Sequence, residues 1–540
     1  MNADYSQPIK NKARNKVIEK AIQTLTANRT NSTLTSKEYV RKVRDFLINS
    51  ENYYDQNVAK DLSDEAIERW ENFYESIVYQ KEPSNLKIAY LCGPNPENDL
   101  RVLCQHGILP ENIWAFESEN STYSKAIQSA LNSEFPFIKI INGGIDNFLE
   151  ASPQRFDIIY LDFCGPLPSR NKDQKTLYAI SKILSRHSLN SPGILITNFS
   201  LPNKEGDNTG RQLIAKLVSN YLYPKSFLES NNLENDFIEG PIAHGQKPED
   251  FLKIVETHLE NFYGQFITRL LIDHSSLISP YTRFPQSNFL FKKFFNIKDK
   301  TSLKESINAM FHFNEDFDGG NVIVDSGMYP ILWTLASLNP KLNCEDPNYS
   351  QDIYNDPEFK KFSELFLNQL DISNNKDNLT DSFSQLSFLL NEGNEQEEFW
   401  SEGIKNLKTS HEIFKYHQFC DLLMFHQIFE MLFRQVAIPY HINISESKRW
   451  KYKAKDNVMF MDMLIMDECR YLYDWMPTID MISEAFSDKE RQLIYRFALD
   501  GISKHRSWYN PEYFFGTAVV DKFTDGFEAK TLSPRENILE

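Results

Sequence analysis

From about residue 85 the chain reads as short apolar runs separated by polar, helix-like stretches. The runs are 86–92 (LKIAYLC), 113–116 (IWAF), 137–141 (FIKII), 156–161 (FDIIYL) and 193–197 (GILIT). Most are continuously apolar, as strands buried on both faces of a parallel sheet must be. Segments 99–106, 121–132, 145–150 and 174–186 carry helical spacing between them, and further helices are predicted over 210–223 and 248–272. Strands that alternate with helices predict βαβ units, and so an α/β fold with a doubly wound sheet. Segment 284–295 would add a closing hairpin strand.

Upstream, 36–49 and 63–79 place apolar residues three and four apart, among them Ala66, Ile67, Trp70, Phe73 and Ile77. This spacing predicts amphipathic helices. Ser63, followed by Asp64 and Glu65, has the chemistry of an N-cap with first-turn acids. Beyond residue 300 the pattern is mainly helical, over 356–370, 397–407, 410–436, 459–475 and 488–504. The Met and aromatic stripe within 459–475 reads as helical core. Three parts are therefore expected: an N-terminal helical segment over 1–80, a sheet domain over 81–300 and a mainly helical C-terminal domain over 301–540.

Composition narrows the function classes. The 540 residues include 40 Phe and 25 Tyr, enough large rings for substantial cores, so global disorder is excluded. No run of about 20 apolar residues is present, and the first residues lack the apolar core of a secretory signal. A cytoplasmic protein with no membrane partner is expected. The six cysteines form no CxxC pair and read as free thiols of a reducing compartment. The net charge of −17 argues against an extended nucleic-acid footprint. Two basic segments stand against it. Residues 1–50 carry a net charge of +6, and residues 448–455 interleave Lys448, Arg449, Lys451, Lys453 and Lys455 with Trp450 and Tyr452. Either would suit a nucleic-acid partner, with rings stacking on bases. The competing reading is a solvated helix face for the first and a solvated loop for the second. His417, Cys420 and His426 share one predicted helix, but His426 points away from the other two, so no metal is expected there.

A doubly wound sheet binds ligands outside the carboxyl ends of its strands. The residues there are Gly93 after the first strand, Glu117 after the second, Gly144, Ile145 and Asp146 after the third, Asp162, Phe163 and Cys164 after the fourth, and Asn198 after the fifth. A glycine in the first turn lets backbone approach a ligand. An acid some 20 positions later is placed to bind ribose hydroxyls. In this pattern the chain resembles the class I S-adenosylmethionine-dependent methyltransferases, across about residues 85–225. The resemblance implies a Rossmann-like sheet holding S-adenosylmethionine. Gly93 would line the methionine moiety, Glu117 would bind ribose, Asp146 or the Ile145 backbone would meet adenine, and Asp162 would orient the methyl acceptor.

The stretch LDFCGP is similar to the Asp-Pro-Phe-Gly-Ser-Pro motif of tRNA guanine-N2 dimethyltransferases at Asp162, Gly165 and Pro166. That implies an exocyclic amine as acceptor, with Phe163 stacking on a base. Cys164 offers a second chemistry, the covalent nucleophile of cytosine-C5 methyltransferases, although their Pro-Cys dipeptide is absent. The first loop departs from the family. It has one glycine where three are usual, Ala89 or Tyr90 stands where an acid is expected, and Pro94 and Pro96 stiffen it. Two alternatives follow: a Rossmann-fold binding or scaffold protein that has lost catalysis, or another nucleotide-dependent transferase on the same sheet.

Overall fold

The computed structural model describes residues 7–171, 176–222, 248–280, 289–297, 301, 356–370, 397–409, 434–435, 437–476, 488–506 and 518–539. The five apolar runs all form strands: β1 (Ile88–Leu91), β2 (Ile113–Glu117), β3 (Lys139–Asn142), β4 (Phe156–Asp162) and β5 (Leu189–Ser200). They pair parallel in the order β3-β2-β1-β4-β5. Four more strands follow: β6 (His441–Ile442), β7 (Lys448–Ala454), β8 (Asn457–Asp467) and β9 (Glu536–Asn537). β8 lies antiparallel against β5 from Gly193 to Ser200, β7 pairs antiparallel with β8, β6 also pairs with β8, and β9 runs parallel to β7. The result is a mixed α/β fold around a nine-stranded, mostly parallel central sheet.

The period-two geometry of a strand sorts its side chains into two cores. Ala89, Phe116, Ile159, Leu161, Leu195, Phe199, Phe460 and Leu464 face one side. Ile88, Tyr90, Ala115, Ile158, Tyr160, Ile194, Ile196, Met461 and Met463 face the other. The first face is covered by helices Asp64–Ile77, Thr176–Ser185, Asn208–Leu222, Leu259–Asp273 and Lys489–Arg506. The second is covered by Pro8–Leu25 and Glu97–Gln105, through Ala13, Val17, Ala21, Leu100 and Leu103. The first helix of the chain is thus a layer of the sheet domain. At Asp64–Ile77 the expected cap is present, because the Ser63 side chain accepts from the amide of Ala66.

Three expectations need correction. Residues 459–475 do not form a helix: 457–467 is strand β8, and only Arg470–Tyr473 is helical. The run is apolar at nearly every position, which a strand buried on both faces and a core helix share. The sheet therefore does not end near residue 300 but takes its last strands from 441–467 and 536–537. Within 284–295, the described part is a helix, Phe289–Phe294, and not a hairpin strand. The segment 410–436 and with it His417, Cys420 and His426 lie outside the described residues, apart from Arg434 and Gln435.

The two basic segments are committed to the fold. Trp450 and Tyr452 are 2 % and 4 % exposed and pack in the second core. Arg449 is buried and donates to the Ser533 carbonyl, Lys448 donates to Ser533 Oγ, and Lys451 faces Glu260. In the N-terminal segment Arg14 pairs with Asp99, Lys16 with Glu536, Lys20 with Glu446, Lys37 with Glu75, Arg41 with Glu71 and Arg44 with Asp64. The rings that were to stack on bases are core side chains, and much of the local positive charge is neutralised within the chain. Neither segment supports a nucleic-acid partner. Among the described residues no helix is long and apolar enough to cross a membrane.

The placement of β8 makes a stability prediction. Leu464 is fully buried in β8, whereas Lys453 is exposed on β7. Leu464→Ala is expected to destabilise the protein by about 2–5 kcal/mol, and Lys453→Ala by no more than about 0.5 kcal/mol. Urea denaturation midpoints read both.

Candidate functional site at the carboxyl edge of the sheet

Because β1 to β5 run parallel, their carboxyl ends share one edge. The chain moves outward from β1 through β2 to β3, then crosses to β4 and β5, so the order reverses between β1 and β4. A crevice for a ligand opens at such a reversal. Register aligns Leu91 with Phe116, Glu117 with Asn142, and Asp162 with Asn198. Glu117 and Asp162 thus stand on either side of the β1 loop, two strand spacings apart, or about 10 Å. Alternation places Glu117, Asp162 and Asn198 toward the same face, the one covered by Pro8–Leu25.

The β1 loop begins at Gly93, whose φ of +57° calls for glycine. A Cβ there would meet no atom within 4 Å, so the loop is open at this point. The Tyr90 hydroxyl donates to the carbonyl of Pro96 at 2.7 Å and fixes the loop from below. Glu117 is half-buried, and one of its oxygens accepts from the amide of Glu119 at 2.8 Å. Burial raises its pKa above the ordinary glutamate value. After β3, Gly143 also has positive φ, +149°, and its amide donates to the Glu117 carbonyl. The Asp146 carboxylate folds back over Gly144 at the head of its own helix, where a Cβ on Gly144 would lie 2.1 Å from Oδ1. Asp146 and Ile145 are 7 % and 2 % exposed, and the Ile145 side chain belongs to the first core.

The tip of β4 carries a hydrogen-bonded group. Asn198 Nδ2 donates to Asp162 Oδ1 at 2.7 Å and to the Tyr452 hydroxyl at 2.8 Å. Asn198 is fully buried, and its Oδ1 has no partner among the described residues. The next residue, Phe163, is partly buried and stacks on Phe199, with centroids 5.5 Å apart. Cys164 is exposed as a residue, but the charge of Asp162, aided by the surrounding protein, raises its thiol to about 11. A lowered pKa is what activates a cysteine nucleophile, and the Asp162 charge pushes Cys164 the other way.

Arg14 brings a buried cation to this acidic edge. Arg14 Nε, on the first helix, donates to the buried Asp99 at 2.6 Å, and Arg14 also feels Tyr160 and Asp162. Burial raises Asp99 to about 6, with the charges of Asp162 and Glu97 adding to it and Arg14 opposing. Arg14 itself stays a cation, because its carboxylate neighbours outweigh its burial. Among the described residues, Asp99, Glu117 and Asp162 gather more negative charge here than Arg14 alone offsets.

Sequence reasoning found Gly93, Glu117, Asp162 and Phe163 on adjacent strand tips. It missed Arg14 and Tyr452. Tyr452 was legible only once 448–454 had been recognised as a strand, and Arg14 carries no sequence signal, since its role depends on where the first helix docks. Among the described residues no cluster of His, Cys, Asp and Glu could hold a metal ion. The four described cysteines are free thiols. A cavity of about 840 Å³ is also present, but at the opposite, amino edge of the sheet, lined by Lys81, Lys87, Arg155 and Asp157. It stands apart from the tips described above. No protein-family model matches the chain, and no curated protein does either.

The state of Asp99 predicts a pH dependence. Its folded pKa, about 6, lies above its ordinary value of 3.8. Its contribution to stability is therefore full below about pH 4 and is lost as pH rises through about 6. The stability of the wild type relative to Asp99→Asn is expected to be highest at about pH 4 and to fall up to about pH 7, as read by urea denaturation of both proteins across that range.

Proposed function

We propose that this chain is an S-adenosylmethionine-dependent methyltransferase of Rossmann-like fold, acting on an amino group. The reading rests on one observation. The open Gly93 loop, the half-buried Glu117 and the Asp162–Asn198 pair stand on adjacent tips of one parallel sheet, at the point where strand order reverses.

The residues present suit such a cofactor. Glu117 is half-buried and accepts from the amide of Glu119, which orients its carboxylate to accept from ribose hydroxyls. Gly93 lets the backbone approach the methionine portion, and the Ile145 amide at the head of its helix would meet adenine. When bound, S-adenosylmethionine supplies an electrophilic methyl group on a sulfonium. The chain then has to position the acceptor and exclude water. Asp162, held by Asn198, accepts an N–H of the amine, which raises electron density on its nitrogen. Asn198 Oδ1 supplies a buried acceptor that is still unsatisfied. Phe163, braced by Phe199, offers a ring face for a flat acceptor. Because the two basic segments are built into the fold, a small or protein acceptor suits this edge better than an extended polyanion.

Arg14 favours a second reading. Its guanidinium already occupies part of the acidic edge, as it would in a binding or scaffold protein that has given up catalysis.

Thermal unfolding distinguishes the two. Saturating S-adenosylmethionine is expected to raise the unfolding temperature, by an increment equivalent to about 2.7 kcal/mol at a hundredfold excess over Kd. Glu117→Ala is expected to abolish the shift and Asp162→Asn to retain it. No shift at about millimolar ligand would favour the scaffold reading.

A further inference from the structure

The cavity at the amino edge carries chemistry of its own and does not depend on the reading of the carboxyl edge. Its wall combines three cations, Lys81, Lys87 and Arg155, with one acid, Asp157, and the ring of Tyr79. An excess of positive charge is unusual in a chain of net charge −17. Asp157 pairs with Lys81 and Glu468 with Arg155, so Lys87 carries the excess. Asp157 is 1 % exposed and is already neutralised, accepting from Lys81 Nζ at 2.6 Å, from the Lys87 amide at 2.8 Å and from Asn190 at 3.0 Å. Arg155 is held in place by the Leu189 carbonyl and by Glu468, at 2.6 Å. The Lys87 ammonium has no partner among the described residues, and it lies close enough to Lys139 for the two cations to repel. A cation that is unneutralised, half-buried and set beside another asks for an anion.

Tyr79 adds the second half of a ligand. Its side chain is 58 % exposed, although Arg29 and Lys81, both buried, lie 5.9 Å and 5.5 Å from its ring centroid. The Arg29 Nε donates to the Tyr79 carbonyl at 2.7 Å, which fixes the backbone that presents the ring. A ring supported by buried cations and otherwise open to solvent is a platform for stacking. The cavity, about 840 Å³, is of the size of small-molecule sites. We propose that this cleft binds a nucleoside phosphate, with the phosphate on Lys87 and Arg155 and the base stacked on Tyr79.

Isothermal titration calorimetry of the full chain with ADP and with inorganic pyrophosphate tests this. Both are expected to bind, and Lys87→Gln is expected to weaken both by about tenfold or more without lowering the unfolding temperature. Tyr79→Leu is expected to weaken ADP by about fivefold or more and to leave pyrophosphate unchanged. Glu117→Ala, at the other edge, is expected to change neither. Absence of ADP binding at about 5 mM, or binding indifferent to Lys87→Gln, overturns the site. Equal ADP affinity in Tyr79→Leu overturns the assignment to a nucleoside.

Discussion

The pairing of β5 with β8 is the contact on which the rest of the molecule depends. Without it β5 would be the bare edge of a sheet that is apolar on both faces, an arrangement proteins avoid. With it, eight residue pairs from Gly193–Met466 to Ser200–Met459 join the C-terminal region to the sheet. β7 leads into β8 through a tight connection, and their pairing carries Tyr452 to Asn198. The carboxyl edge is thus assembled from parts far apart in sequence. Asp162 comes from the fourth strand, Asn198 from the fifth, Tyr452 from the C-terminal hairpin and Arg14 from the first helix.

Charge placement at that edge is uneven in an informative way. Asp99 and Asp162 sit near the buried Arg14, Glu97 lies close to Asp99, and burial raises Glu117 as it raises Asp99. Water would have solvated these carboxylates. The fold instead holds them among protein atoms, where a cationic or hydrogen-donating ligand gains more than it would in bulk solvent. The amino edge shows the opposite arrangement, with its acid neutralised and a lysine left over. One sheet therefore presents two electrostatically distinct ends.

The strands of the parallel half were legible because their signal is local. Apolar runs of four to seven residues, separated by helix-length polar stretches, admit few arrangements. Glu117 and Asp162 were legible for the same reason, since each ends such a run. The hairpin was not. Residues 459–466 are apolar except for Asp462, and that one acid is satisfied by Arg535 and Thr268, distant in sequence. Its meaning depends on contacts that no window of sequence contains. The basic run over 448–455 misleads in the same way. Alternate residues of β7 point into the core and out of it, so charge and ring interleave because of the pleat and not because of a ligand.

The distance along the chain between β5 and β8 has a temporal consequence. A ribosome adding about 5–20 residues per second would expose β5 tens of seconds before β8 emerges. Throughout that interval the nascent sheet carries an unfinished border, with the backbone groups of β5 that β8 will pair left open. Until the late hairpin arrives to close it, that border is open to pairing with any other strand.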